Sequence, residues 1–447
     1  MGPSADVTAN GEVSGAAASG ESVPTVSYDW KSHRKYVVFM IFIAYLLNSV
    51  DRNIISILQQ PIKEEFGLAD WQLGLMTGFA FALFYNLVGL PTARFIDGGA
   101  IRKNILAGAV TLWSFATAAC GLAQNYWHLL LARAGVGLGE GAFGPCVVTL
   151  VSDYYGPAER ARAIGTYLLG RPIAIVVGLA AGGFVAEEYG WRAALLLVGL
   201  PGLFVGLLWK LTIKEPPRGL ADGKPTKVEK PLPLMEVFRT VTRKKTVAFL
   251  LISAVFASFS TVGWMVWYPP FLQRAFGLEL GDVGWMWGLV AGVAGAAGAF
   301  GGGWITDKLA AGNRRYLMLY PAMAMIISFP FFIAATMAGN LYVCFAFLLV
   351  PATLNNSWIP AAMSSSQGLA PLTMRALLSM FVVVAANMIG HGISPPVIGV
   401  LSDIYGSNIG DSAEGLRWAL LTSALFYPIA ATFFWLASRH IKEDFEK

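Results

Sequence analysis

Twelve stretches of mostly apolar residues, each long enough to cross a bilayer as one helix, fill most of this chain and exclude almost every other architecture. They fall near 36–58, 71–96, 104–123, 127–153, 160–186 and 191–213, then 246–274, 281–307, 314–338, 340–367, 372–402 and 416–438. An α-helix rises about 1.5 Å per residue, so about 20 apolar residues span a hydrocarbon core of roughly 30 Å. With 56% of its 447 residues hydrophobic and only 13% charged, and a mean hydropathy of +0.58, the chain lies outside the balance of soluble domains. The expected fold class is an all-α membrane protein of twelve transmembrane helices, because in lipid each helix satisfies its own backbone polar groups.

The segments outside these runs have their own character. Residues 1–35, rich in Ala, Gly and Ser, are expected as a disordered N-terminal tail, and no apolar stretch there makes a signal peptide. KEPPRGLADGKPTKVEKPLPLMEVFRTVTRKK (214–245) is basic and broken by prolines, which predicts a linker between a six-helix bundle over 36–213 and a second over 246–438. Residues 439–447 are expected as a C-terminal tail. Cys120, Cys146 and Cys344 lie in apolar runs at no metal-like spacing, so no metal, cofactor or disulfide framework is expected.

Charge sets the orientation. Of the 32 lysines and arginines, only Lys63, Arg192, Arg274 and Arg417 fall in connections on the side away from the termini, and Arg52, Arg133 and Arg171 lie inside the apolar runs. The rest gather on the side of the termini and linker. By the positive-inside rule both termini are cytoplasmic, with the protein in the cell inner (plasma) membrane. The two halves also echo each other: ARFIDGGAIRK (93–103) follows the second run and GWITDKLAAGNRR (303–315) follows the eighth. Such a repeat predicts two halves related by an axis along the membrane normal.

The segments VDRNIISILQQPIKEEFG (50–67), RAGVGLGEGAFGP (133–145) and YGWRAAL (189–195) carry a specific likeness. The chain resembles the major facilitator superfamily over 36–438, and its first half is similar to the Spinster branch of lipid transporters. The resemblance implies two six-helix bundles, transport by alternating access, and a lysophospholipid or sphingolipid phosphate as substrate. It also implies a cytoplasmic gate at Asp97, Arg102, Asp153, Asp307 and Lys308. Gly98 stands where the superfamily usually has a basic residue after the aspartate, whereas the Asp307–Lys308 copy keeps it.

Charged side chains inside a bilayer are costly and usually face a bundle interior or a water-filled cavity. Asp51 and Arg52 lie about 22 to 24 Å along the first helix, and Arg133 about 9 Å into the fourth from its outer side. Glu140 follows Arg133 by two turns, so both project from one face, with Glu140 about 10 Å deeper. An arginine fork holds a phosphate or carboxylate bidentately and keeps its proton, which makes Arg52 and Arg133 the expected substrate-binding groups. Asp51 and Glu140 can change charge and are the expected proton-coupling groups. The competing reading is that the four neutralise one another and fix helix packing. In the Spinster branch the matching positions line the central cavity, which favours the functional reading.

Other residues carry two open readings. His391 is either a proton relay or a hydrogen-bonded packing group. Asn355 and Asn356, in TLNNSW, either line the same cavity or join helices, and Trp264 either meets an acyl chain or packs. Arg171 sits where the branch usually has an apolar residue, and binding and packing stand equally for it. Trp71, Trp127, Trp191 and Trp418 are expected as interfacial anchors. GEGAFG (139–144) fits a dinucleotide pattern but lies in a membrane helix with no preceding strand, so it carries no nucleotide. Gly137/Gly141, Gly178/Gly182, Gly288/Gly292 and Gly298/Gly302 have the spacing that lets helices approach closely.

The expected function is therefore secondary transport of an amphiphilic anionic or zwitterionic lipid-like substrate, with protons and the bilayer as its other partners, as a monomer and without nucleic acid. The first alternative keeps the fold and moves a small organic anion, sugar acid or drug. A membrane enzyme is disfavoured because no HExxH, CxxC or serine motif occupies a plausible site. A downhill lipid scramblase is the remaining rival.

Overall fold

The computed structural model describes residues 30–221, 239, 242–370 and 374–446; most of the expected N-terminal tail and of the linker lies outside them. Eleven long apolar helices run over Ser32–Phe66 (α1), Asp70–Ile96 (α2), Arg102–Gly121 (α3), Tyr126–Tyr154 (α4), Pro157–Thr212, Lys245–Phe276 (α7), Leu280–Gly312 (α8), Tyr316–Met337 (α9), Leu341–Leu369 (α10), Leu377–Ile409 (α11) and Ser412–Phe445 (α12). The fifth of these is two spans, because Gly190 adopts φ 83° and ψ 160° inside it. Only glycine takes that backbone conformation without strain, so the chain turns there and gives α5 (157–189) and α6 (191–212). Twelve spans result, as the apolar runs require.

The helices outrun their apolar stretches. The first continues from residue 58 to Phe66, and the last continues through 439–446, where Ile441 is fully buried and Asp444 accepts a hydrogen bond from the Thr246 amide at 2.9 Å. That carboxylate caps the start of α7, which holds the helix end against it.

All four small-residue pairs sit at helix crossings. A Cβ on Gly137 or Gly141 would meet the Phe81 or Tyr85 carbonyl of α2, and one on Gly178 or Gly182 would meet Val50 or Ile54 of α1. Gly288 and Gly292 face Val176 of α5, and Gly298 and Gly302 face Thr353 and Ser357 of α10. Backbone contact this close replaces side-chain packing, which is how helices associate without a hydrophobic driving force.

α2, α5, α8 and α11 each widen into a π-helical turn, at Leu75–Phe79, Ala174–Gly178, Leu289–Ala294 and Met388–Ile393. These turns meet in pairs across the molecule: Gly78 packs on the His391 carbonyl, and Gly292 on Pro172 and Val176. The widened turns thus mark where the first six helices touch the last six. π-Helical turns break the regular ladder and recur at functional positions.

One sequence expectation fails here. Trp71, Trp127 and Trp418 are exposed at 44%, 66% and 47%, as interfacial anchors require, but Trp191 is only 4% exposed. Its indole N–H donates to Glu65 at 2.8 Å, its ring packs edge-on against Phe66, and the Arg192 guanidinium lies 4.2 Å above it. The turn at Gly190 folds this tryptophan back onto α1, so it clasps helices together instead of meeting lipid.

Candidate functional site

Four intramembrane charges come together between α1 and α4. Asp51 Oδ1 accepts a hydrogen bond from Arg133 Nη1 at 3.1 Å, and the Thr117 hydroxyl of α3 donates to Asp51 Oδ2. The adjacent Arg52 donates from Nε to Glu140 Oε2 at 2.5 Å. The two-turn spacing of Arg133 and Glu140 lets one face of α4 receive both neighbours on α1. Charges cancel within the group. Asp51, Arg133 and Glu140 have side chains exposed by 2% or less, while that of Arg52 is 28% exposed. Arg52 therefore alone of the four reaches open space, with its guanidinium 5.0 Å from the Phe81 ring centre and 4.7 Å from that of Tyr85. Such cation–π contact holds the plane of the guanidinium in place.

The remaining expected site residues are distributed differently. His391 lies in the π-helical turn of α11, within electrostatic reach of Arg52 and Arg171, and its Nδ1 is buried without a hydrogen-bond partner among the described residues. Asn355 is fully buried and donates to the Tyr427 hydroxyl at 2.6 Å; Asn356 is half-buried beside Gly295. Trp264, 2% exposed, packs edge-on against Trp287 at 5.0 Å. Trp264 and Asn355 thus make their contacts within the packed interior, and neither bonds to the four charges.

At the end of the molecule that bears the termini, Arg102 hydrogen-bonds Asp153, and its Nε donates to Glu215 at 2.7 Å. The Gly219 amide donates to Asp153 at 2.9 Å. This network ties α3, α4 and the start of the linker together within one half. Asp307 and Lys308 are exposed, with Lys308 Nζ 5.1 Å from the Trp304 ring. The side chain of Asp97 lies outside the described residues.

Sequence reasoning missed the cluster at the far end, which spans the two halves. Asp70, 1% exposed as a residue at the start of α2, takes two hydrogen bonds from Arg274 of α7, at 2.7 and 2.8 Å. Lys63 and the Ser402 hydroxyl of α11 also reach it, at 2.5 and 2.6 Å. Asp403 of α11 caps the Asp70 and Trp71 amides, both at 2.9 Å. Arg274 also donates to Gln60 at 2.8 Å, and Gln59 and Gln273 bond backbone carbonyls of the opposite half at 2.8 and 3.1 Å. The hydrogen bonds joining the halves cluster at this end. A signal for it existed: Lys63 and Arg274 are two of only four basic residues on that side, and scarce charges kept there have partners to meet.

Two six-helix halves clamped at one end, with paired charges inside the first and small-residue crossings within and between them, have the form of a multi-pass membrane transporter. The sequence pattern of the Major Facilitator Superfamily matches residues 41–384, and the chain belongs to that family, in its Spinster-like branch. A crystal structure of a bacterial homologue of the human lysosomal transporter Spinster, inward-facing and unoccupied, superposes with a TM-score of 0.84 at 30% identity, covering 93% of this chain and 98% of that one. An MFS-type efflux pump of Mycolicibacterium smegmatis is 30% identical over 401 residues, 89% of this chain and 91% of the pump. A probable L-galactonate transporter of Escherichia coli is 27% identical over 286 residues, 62% of each chain.

Proposed function

We propose that this chain moves an amphiphilic substrate with an anionic or zwitterionic head, of the lysophospholipid or sphingolipid phosphate class, across the inner (plasma) membrane by alternating access coupled to protons. Both termini face the cytoplasm in this reading, supported by the basic residues gathered on their side. The observation that carries it is the Arg52–Glu140 pair, in which a fully buried acid holds an arginine whose own side chain is 28% exposed. A head group competing for Arg52 would release Glu140, and a proton on Glu140 would release Arg52. Binding and protonation are thereby linked through one ion pair. Asp51 and Arg133 form the second, fully enclosed pair, which a proton on Asp51 would loosen in the same way.

With the far end clamped, the substrate enters from the terminus-bearing side. On the opposite swing, the Asp70–Arg274 clamp would separate, and Asp97, Arg102, Asp153, Asp307 and Lys308 would form the cytoplasmic gate. Trp264, Asn355 and Asn356 would line the path only after the second half repacks. The likeness to a Spinster homologue supports a lipid-like substrate. The likeness to a probable L-galactonate transporter supports a second reading with the same mechanism and a small soluble organic anion as cargo. Purified protein in proteoliposomes, given a lysophospholipid or a sugar acid under an imposed proton gradient, separates the two. Asp51→Asn is expected to abolish the pH dependence of transport, and unchanged pH dependence would remove Asp51 from coupling.

A further inference from the structure

The four paired charges leave one intramembrane cation over. Arg171, in α5, is exposed and makes no hydrogen bond or ion pair among the described residues. Its direction follows from its neighbours. Gly170 packs on Phe42 and Leu46 of α1, and the Pro172 carbonyl faces Gly292 of α8, so residue 171 stands either inward between those helices or outward to lipid. The outward stripe of α5 is occupied by Ile173, Val177 and Phe184, exposed at 43%, 59% and 60%. Ile175, one turn beyond Arg171 on the same face, is 4% exposed and belongs to the interior cluster. Arg171 therefore points inward.

There it shares space with two other groups. The His391 carbonyl packs on Gly78 of α2, one turn from the Phe81 ring that lies under Arg52, and Gly170 sets the start of Arg171 against α1, so all three border one region between α1, α5 and α11. By the register of Gly170, Gly178 and Gly182 against Phe42, Val50 and Ile54, Arg171 starts nine residues, or about 13 Å, closer to the terminus-bearing end than Arg52 does. Two arginine side chains, one from each helix, are together long enough to bridge that interval. His391 belongs to the second half, and its Nδ1 is buried with no partner among the described residues. An uncompensated arginine at mid-membrane depth is costly unless an anion or water meets it.

We propose that Arg171 is a substrate-binding residue: together with Arg52 it holds the multi-oxygen anionic group, phosphate or carboxylate, of the transported molecule, with His391 against it from α11. The inference rests on the reading of the substrate as anionic and adds the residue that supplies the net positive charge. Arg52 is shared with Glu140, whereas Arg171 has no hydrogen-bond or ion-pair partner among the described residues. It also gives the two halves a common ligand, because α5 and α11 lie on opposite sides of the interface.

The test is binding by the purified full-length protein of a lysophosphatidic acid, of D-galacturonate, and of an uncharged monoacylglycerol, for the native chain, Arg171→Leu and Arg171→Lys. A charge-assisted bidentate contact predicts that Arg171→Leu weakens binding of one of the two anions by about tenfold to a hundredfold, with Arg171→Lys intermediate and the monoacylglycerol unaffected. Whichever anion responds identifies the source of the head group. Without ligand, Arg171→Leu is expected to melt at the native temperature or above, because it removes an unpartnered charge; a clear loss of stability would mark a structural role and overturn the proposal. Equal anion binding by native and Arg171→Leu protein overturns this inference alone. Failure of both anions to bind the native chain overturns it together with the anionic-substrate reading.

Discussion

Replacing Asp70 by Asn tests the far-end clamp at its centre. The substitution keeps the shape of the side chain but removes the charge that Arg274 and Lys63 share. Truncating one partner of a buried ion pair costs about 3–5 kcal/mol, much of it the penalty of a buried charge left alone. Arg274, with a side chain 4% exposed, bears that penalty in full, whereas Lys63, 23% exposed, is screened by water and adds little. Asp403 still caps the two amides of α2, so the lower figure applies. Because the pair joins α2 to α7, the cost falls on the clamped state and not on either half, and about 3 kcal/mol shifts the equilibrium toward the far-end-open state roughly a hundredfold. Spin labels on Tyr189→Cys and Asn408→Cys, both exposed positions at that end on opposite halves, read the shift as a longer distance population. Arg274→Gln in the Asp70→Asn background removes the stranded charge and is expected to restore part of the short-distance population. A distance distribution unchanged by Asp70→Asn would refute the assignment of the clamp.

Three further outcomes follow from the packing. Thr117→Val removes the hydroxyl that donates to Asp51 and is expected to cost about 1.5–3 kcal/mol in thermal or denaturant unfolding; no change would mean that Arg133 alone satisfies the carboxylate. Gly141→Ala places a Cβ 2.3 Å from the Tyr85 carbonyl and is expected to destabilise by about 1–3 kcal/mol, whereas Gly144→Ala, with nothing within 4 Å, should be neutral or slightly stabilising when the two melting temperatures are compared. Gly190→Ala meets no atom but forces a side chain into a glycine-only backbone region, with an expected cost of about 1–3 kcal/mol; a native melting temperature would show that the α5–α6 turn relaxes freely.

The membrane class, the twelve spans, the repeat and the helix crossings were legible in the residues alone, because each rests on local quantities. Apolar length decides whether a helix spans, and glycine spacing decides where backbones can touch. The same logic made Asp51, Arg52, Arg133 and Glu140 legible, since a charge in an apolar run has few explanations. Which carboxylate meets which guanidinium was not legible: helical period gives a face and a depth, but pairing depends on how α1 and α4 are rotated against each other. Only the tertiary structure decided that Asp51 takes Arg133 while Arg52 takes Glu140, that Trp191 turns inward, and that Asp70 meets Arg274 across the interface. Those contacts join residues 82, 88, 126 and 204 positions apart, and nothing in the local pattern of either partner encodes the approach of the other. The direction of Arg171 belongs to the same class, being set by what Gly170 and Pro172 lean on, which is a property of three helices together.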